Sequence, residues 1–113
     1  MTYVSARGIA ALLACATINL SPITASADDG KLALGKEIFL ERSEPQCALC
    51  HTLADAEAVG EVGPNLDELA PDAERVSTAV INGIGPMPAN EALTEEEIEA
   101  VALYVSTVAG KAE

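Results

Sequence analysis

The sequence Cys47-Ala48-Leu49-Cys50-His51 is a C-x-x-C-H motif, and the rest of the chain is best interpreted outward from it. Two thiols three positions apart can add to the two vinyl groups of one haem, and the adjacent imidazole can then bind the iron. The motif therefore predicts one covalently attached haem c, held through Cys47 and Cys50, with His51 as an axial ligand of the iron.

Three other interpretations of the motif fit the sequence less well. A structural zinc site needs about four ligands, but the chain after residue 27 contains two cysteines and one histidine. A disulfide between Cys47 and Cys50 would close a loop too short to stabilise much. A thioredoxin-like redox pair belongs to a βαβ unit, and the sequence has no convincing alternating strand.

Met87 is the candidate for the second axial ligand. It is the only methionine apart from Met1, and it lies 36 positions after His51 in the segment Asn82-Gly83-Ile84-Gly85-Pro86-Met87-Pro88. An isolated methionine is usually core filler. Between two prolines in a stiff loop, however, it is well placed to present its sulfur in a fixed direction. We therefore expect the iron to be bound by His51 and Met87.

Residues 1–27 have the features of a secretory signal peptide. Arg7 is their only charged residue, residues 8–18 form a short apolar core, and Ala25-Ser26-Ala27 is an A-x-A cleavage site. We expect cleavage after Ala27, export to the periplasm, and a mature domain at residues 28–113 with no stable membrane insertion.

Two alternatives to this cleavage remain open. The apolar core could persist as a membrane anchor, although it is short for spanning a bilayer. Leu12-Leu13-Ala14-Cys15 also resembles a lipoprotein cleavage box, which would place a lipid on Cys15. The apolar run before that box would have only about seven residues, which is short for an export signal.

Composition limits both the core and the possible partners. Only 3% of the residues are aromatic and there is no tryptophan, so a haem would supply much of the missing core. Removal of residues 1–27 leaves 5 of the 6 basic residues and all 18 acidic ones, which shifts the formal charge from −12 to −13. Such a surface repels phosphate, so we expect no nucleic-acid partner.

Three helices are predicted, and they make the domain all-α. The first begins with Asp28 or Asp29 as its N-cap and continues to Leu40. The second has Pro71 at its first position and Gly83 as its C-terminal cap. The third begins with the capping box Thr94-Glu95-Glu96-Glu97 and continues with apolar residues at helical spacing.

Several of these segments resemble the class I cytochromes c, over essentially the whole of residues 28–113. They are Gly35-Lys36-Glu37-Ile38-Phe39 of the first helix, Ala102-Leu103-Tyr104-Val105 of the last helix, the loop Gly63-Pro64-Asn65-Leu66, and the Met87 loop. The resemblance implies three to four helices wrapped around one haem, with Tyr104 opposite Phe39. It also implies that the Pro64 carbonyl accepts the N–H of His51 and so orients it.

Within that family, residues 63–87 look most like the small cytochromes that accept electrons from bacterial sulfite dehydrogenases. The resemblance implies a one-electron carrier rather than an enzyme. Its donor would be a dehydrogenase, and a terminal oxidase or another cytochrome would accept the electron. Two alternatives are a fixed haem subunit of a dehydrogenase complex and a gas-binding or peroxidatic haem protein with an open sixth position.

Acidic residues near the motif and the Met87 loop are candidates for a docking rim. These are Asp55, Glu57, Glu61 and Glu91, and Arg75 is the only basic residue between His51 and Met87. Such a rim would steer the protein toward a basic face on its donor. The alternative is that the negative charge only maintains solubility.

Overall fold

The described part of the chain, residues 21–22 and 26–111 of a computed structural model, is mainly helical. Its α-helices are α1 (Ala27–Glu37), α2 (Cys47–Cys50), α3 (Leu66–Leu69), α4 (Ala73–Asn82) and α5 (Glu95–Val108). The prediction of an all-α domain is confirmed, and the single-turn helices α2 and α3 are additions to the three helices predicted. The predicted signal peptide lies outside the described residues, apart from residues 21–22 and 26–27.

A minor sheet follows the C-x-x-C-H motif. Its strands are β1 (Thr52–Leu53) and β2 (Ala58–Val59), which pair antiparallel with Thr52 opposite Val59 and Leu53 opposite Ala58. A 3₁₀ turn at Ala54–Ala56 joins the two strands. Two-residue strands are too short to show alternating polarity, which explains why no strand was predicted here.

Helix α1 begins two or three residues earlier than expected. Its N-cap is Ser26, whose hydroxyl accepts the N–H of Asp29 at 3.3 Å, while the Asp29 carboxylate accepts the N–H of Ser26 at 3.2 Å. The prediction of Asp28 or Asp29 as the cap was wrong, because Asp29 instead completes a capping box from the third helical position. At its other end, α1 continues into a π-helical segment, Ile38–Arg42.

The predicted ends of α4 and α5 are largely correct. Gly83 is the C-cap of α4 with φ of +70°, and Thr94 and Glu97 form the capping box of α5. The predicted start of α4, with Pro71 as its first helical residue, was wrong. Asp72 is the N-cap of α4 and accepts the N–H of Arg75 at 2.8 Å, so Pro71 lies before the cap.

The core lies where α1 crosses α5. Phe39 and Tyr104 pack edge to face with ring centroids 6.2 Å apart, which confirms the predicted contact. A Cβ added at Gly35 would overlap the backbone of Ala100 and lie 2.5 Å from the Tyr104 Cβ. Gly35 therefore permits the two helices to cross closely. Within residues 21–22 and 26–111, no helix is long and apolar enough to cross a membrane.

Candidate haem-binding site

A largely apolar cleft of about 750 Å³ opens beside the core formed by α1 and α5. Its size is that of a typical cofactor site. Side chains from α4, α5 and the connecting segments supply its apolar walls: Phe39, Val62, Leu66, Leu69, Val76, Val80, Leu93, Val101 and Val105. The cleft therefore combines core residues that already pack against protein with side chains that need a further apolar partner.

The three residues of the attachment motif all line this cleft. Cys47 and Cys50 are free thiols at the two ends of the single-turn helix α2. The chain becomes extended at His51, which is the C-cap of that helix. One helical turn thus brings two thiols and an imidazole to the same cavity, as attachment to a single haem requires.

The orientation of His51 is fixed by one hydrogen bond. Its Nδ1 lies 2.8 Å from the carbonyl oxygen of Pro64. A carbonyl oxygen can only accept, so Nδ1 must carry the proton and donate it. In the neutral ring this leaves Nε2 with a free lone pair, the form in which histidine binds a metal.

Gly63 leaves room for the histidine ring. A Cβ at this position would lie 2.6 Å from Cε1 and 2.9 Å from Nδ1 of His51. The N–H of Gly63 also donates to the Cys50 carbonyl at 2.7 Å. The loop therefore lies directly against the motif, and any side chain at Gly63 would displace the imidazole.

Met87 lines the same cleft from the loop that follows α4. Ile84 and Met87 exchange two backbone hydrogen bonds of 3.0 Å each, which close a tight turn with Gly85 at φ of +54°. The N–H of Asn90 donates to the Val80 carbonyl at 2.9 Å and returns the loop to α4. The backbone that carries the thioether is thus held at both ends.

Asp55, one of the four acids predicted for the docking rim, has two partners. Its carboxylate accepts the hydroxyl of Tyr104 at 2.6 Å and lies 3.2 Å from the Lys36 ammonium. The hydrogen bond from Tyr104 and then the contacts with Lys36 lower the pKa of Asp55. The predicted docking rim did not include this contact, in which Lys36 compensates part of the charge of Asp55. Glu57, Glu61 and Glu91 are exposed.

The margin of the cleft carries both signs of charge. Asp72, Glu74 and Arg75 line it from the start of α4, and all three are exposed. Arg75 is the one lysine or arginine among the lining residues of the described chain. The cleft is therefore apolar inside and charged at its opening, where Arg75 is the lining residue that could pair with the acidic edge of a bound group.

The residues present fit a haem c. Two thiols, an oriented imidazole and a thioether line one apolar cleft, and Gly63 leaves space for the ring. When bound, the haem would supply a one-electron iron couple. The fold and this site together define the class of small c-type cytochromes.

Comparisons with known proteins agree with this class. Residues 30–105 match the family described as "Cytochrome C oxidase, cbb3-type, subunit III". Chloroplastic cytochrome c6 of Chlamydomonas reinhardtii is 38% identical over 104 residues, which cover 84% of this chain and 66% of that protein. Cytochrome c6 of Cyanidioschyzon merolae (strain NIES-3377 / 10D) is 37% identical over 84 residues, covering 71% of this chain and 77% of that protein.

A solved structure is more similar still. The crystal structure of the c-type cytochrome SorU from Sinorhizobium meliloti is 90% identical, with a TM-score of 0.73, and the match covers 74% of this chain and 95% of that one. The chain belongs to the cytochrome c family. Proteins of this family carry electrons on a covalently bound haem c, so the predicted fold and cofactor are both confirmed.

Three residues of the site were missed at the sequence level. Ser43 contacts Cys47, Gly63 lies against His51, and Asp67 ties the turn after the motif to the C-terminal end by accepting the N–H groups of Ala54 and Gly110. The spacing of Ser43, four residues before Cys47, was the one local signal available. The other two contacts join distant parts of the chain.

Proposed function

We propose that this chain is a periplasmic one-electron carrier whose haem iron is bound by His51 and Met87. The observation that carries the proposal is that both residues line one apolar cleft, with Nδ1 of His51 held by Pro64. With both axial positions filled, no position remains for a substrate, so the protein would act by electron transfer and not as an enzyme.

Replacing the methionine tests the ligand assignment. Met87→Ala should abolish the sulfur-to-iron band of the oxidised protein, lower the reduction potential and admit external ligands such as carbon monoxide to the reduced iron. Pro88→Ala is the matched control, since it changes the same loop but keeps the sulfur. An unchanged spectrum and potential in Met87→Ala would mean that another group holds the sixth position.

Carbon monoxide binding to the unmodified protein distinguishes the proposed carrier from a haem protein with an open sixth position. A gas-binding or peroxidatic protein would bind carbon monoxide in the reduced state without denaturant. A carrier with Met87 on the iron would bind it only slowly or after unfolding. Rapid binding by the unmodified protein would reject the carrier proposal.

We further propose that the donor is a dehydrogenase, of the sulfite dehydrogenase type, with a basic docking face, and that an oxidase or another cytochrome accepts the electron. The support is the resemblance of residues 63–87 to cytochromes with such donors, together with the formal charge of −12. Exposed charges are screened within about 8 Å at physiological salt, so the complex would be short-lived.

A charge-matched comparison tests the docking surface. Glu57, Glu61 and Glu91 are neutralised together in one variant, and Asp28, Glu96 and Glu99 in the other. Glu61 and Glu91 are next in sequence to the lining residues Val62 and Asn90, whereas the members of the second set surround Lys31. If the first set guides docking, only its variant should slow reduction by the purified donor at low salt and flatten the salt dependence. Equal effects would indicate that total charge alone matters.

Co-purification distinguishes a shuttle from a fixed subunit. A carrier that dissociates between encounters should elute alone from a sizing column at physiological salt, whereas a fixed subunit should elute with its dehydrogenase. Retention of the larger protein through that column would favour the fixed-subunit alternative.

We also propose that the exported chain is cleaved after Ala27, within the first turn of α1. Cleavage after Ala27 would remove the Ser26 cap but leave Asp28 and Asp29 at the positive end of the helix. Intact-mass measurement of the exported protein decides among the alternatives. A chain beginning at Asp28 supports cleavage there, whereas a lipid on Cys15 or a retained residue 1–27 segment would contradict it.

A further inference from the structure

Ser43 is a buried polar residue directly behind the first attachment thiol. Its side chain is 2% exposed, and it is the one buried polar residue in the described chain. Its hydroxyl lies 3.2 Å from the Sγ of Cys47 and accepts the Cys47 N–H, also at 3.2 Å. Both bonds hold Cys47, one through the backbone and one through the sulfur.

The π-helical segment places Ser43 in this position. The N–H of Ser43 donates to the Ile38 carbonyl at 3.1 Å and ends that segment. Short π-helical turns are frequent at functional sites because the extra residue redirects the chain. Cys47 lines the cleft but Ser43 does not, so the serine holds the thiol from outside the space that a haem would fill.

We propose that Ser43 is a positioning residue for haem attachment, and that its hydroxyl directs the Cys47 sulfur toward the cleft. Attachment adds the thiol S–H across a vinyl C=C bond, so that one C–S and one C–H bond form and no oxidant or reductant is needed. The thioether that results has no hydrogen to donate. The hydroxyl of Ser43 must then be the donor, and the bond persists in the attached protein.

The arrangement can form before the domain folds. All the bonds around Ser43 join residues between Ile38 and Cys47, and such local side-chain-to-backbone bonds need no tertiary structure.

Three variants of the full chain, expressed with the haem-attachment machinery, test this role. Ser43→Ala removes the hydroxyl, Ser43→Thr keeps it, and Ser106→Ala is the matched control. Ser106 is part-buried, but its hydroxyl donates only to the Leu103 carbonyl of its own helix. Alkylation of free thiols in the denatured holoprotein reports an unattached Cys47, and the pyridine haemochrome spectrum reports an unreacted vinyl group.

Ser43→Ala should show several-fold more alkylated Cys47 than the unmodified protein, with a haemochrome band shifted to longer wavelength. Ser43→Thr and Ser106→Ala should match the unmodified protein. A merely structural role would lower stability while both thioethers still form, and that result would overturn the proposal. So would failure of both Ser43 variants to accumulate as holoprotein, because the volume of the side chain would then be what matters.

Discussion

Apolar side chains are buried where α1 crosses α5, whereas some of those that line the haem cleft are exposed. At the crossing, Phe39 and Tyr104 are 1% and 2% exposed, because protein atoms surround them. At the cleft, Val62 and Ile84 are 77% and 66% exposed although both line it. The crossing is thus complete without a ligand, whereas the cleft has exposed apolar surface that a bound haem would cover.

Preventing haem attachment should give the largest effect and separate the two regions. In Cys47→Ser/Cys50→Ser, the loss of covalent haem should cost about 5 kcal/mol or more, a large part of the stability of a small domain. Hydrogen exchange should show α4 and residues 83–90 losing protection before α1 and α5. If α1, α4, α5 and residues 83–90 lost protection equally, the packing of α1 against α5 would depend on the haem.

Glycine-to-alanine substitutions test the crossing itself. Gly35→Ala should destabilise the holoprotein by about 1–3 kcal/mol, because the new Cβ meets the fixed backbone of Ala100. Gly30→Ala is the matched control in the same helix. A Cβ there has nothing within 4 Å, and alanine should stabilise the helix by up to about 1 kcal/mol. Urea unfolding measures both, and similar results for the two variants would contradict the close crossing.

The corresponding test of the cleft is Gly63→Ala. The added Cβ should displace the His51 ring and weaken its bond to Pro64, at a cost of about 1–3 kcal/mol. The visible spectrum should change, because the ring is the proposed iron ligand. Gly35→Ala should lower stability with an unchanged spectrum. If both variants changed the spectrum equally, the two regions could not be treated as separate.

The parts that the sequence predicted are those encoded locally. The box of Thr94 and Glu97 begins α5 as expected, and Gly83 ends α4. Both signals act between neighbours in the chain, so no tertiary information is needed. The prediction of the attachment residues rests on a local signal too, since the C-x-x-C-H spacing is what attachment to one haem requires.

The parts that were missed depend on what lies across the fold. Asp55 is an exposed acid as expected, but its partners Lys36 and Tyr104 lie 19 and 49 positions away in the chain and could not be predicted. The choice of Ser26 over Asp28 or Asp29 as the N-cap is different, since all three are acceptable caps. There the capping box of Ser26 and Asp29 decided the N-cap, and because that box is a local signal, the sequence could have predicted it.

Tyr104→Phe should give the smallest effect and show how far the crossing depends on its single polar contact. Loss of the hydrogen bond to Asp55 should cost about 1 kcal/mol at neutral pH. Burial and then the bond to Asp55 raise the pKa of Tyr104 above its ordinary value. A phenol with a higher pKa in the folded state stabilises below the unfolded pKa of about 10, and this stabilisation is lost as the pH rises further.

The stability difference between the unmodified protein and Tyr104→Phe should therefore be constant near neutrality and shrink above about pH 10. It should also shrink below about pH 4, because the lowered pKa of Asp55 stabilises only while that carboxyl is ionised. Asp55→Asn keeps an acceptor for Tyr104 but cannot ionise, so it should lose the acid dependence and retain part of the alkaline one. Urea unfolding across the pH series measures the stability difference at both acid and alkaline pH. A difference that stays constant from acid to alkaline pH would mean that the Tyr104 hydroxyl and Asp55 are not coupled in solution, and that the crossing is held by its apolar packing alone.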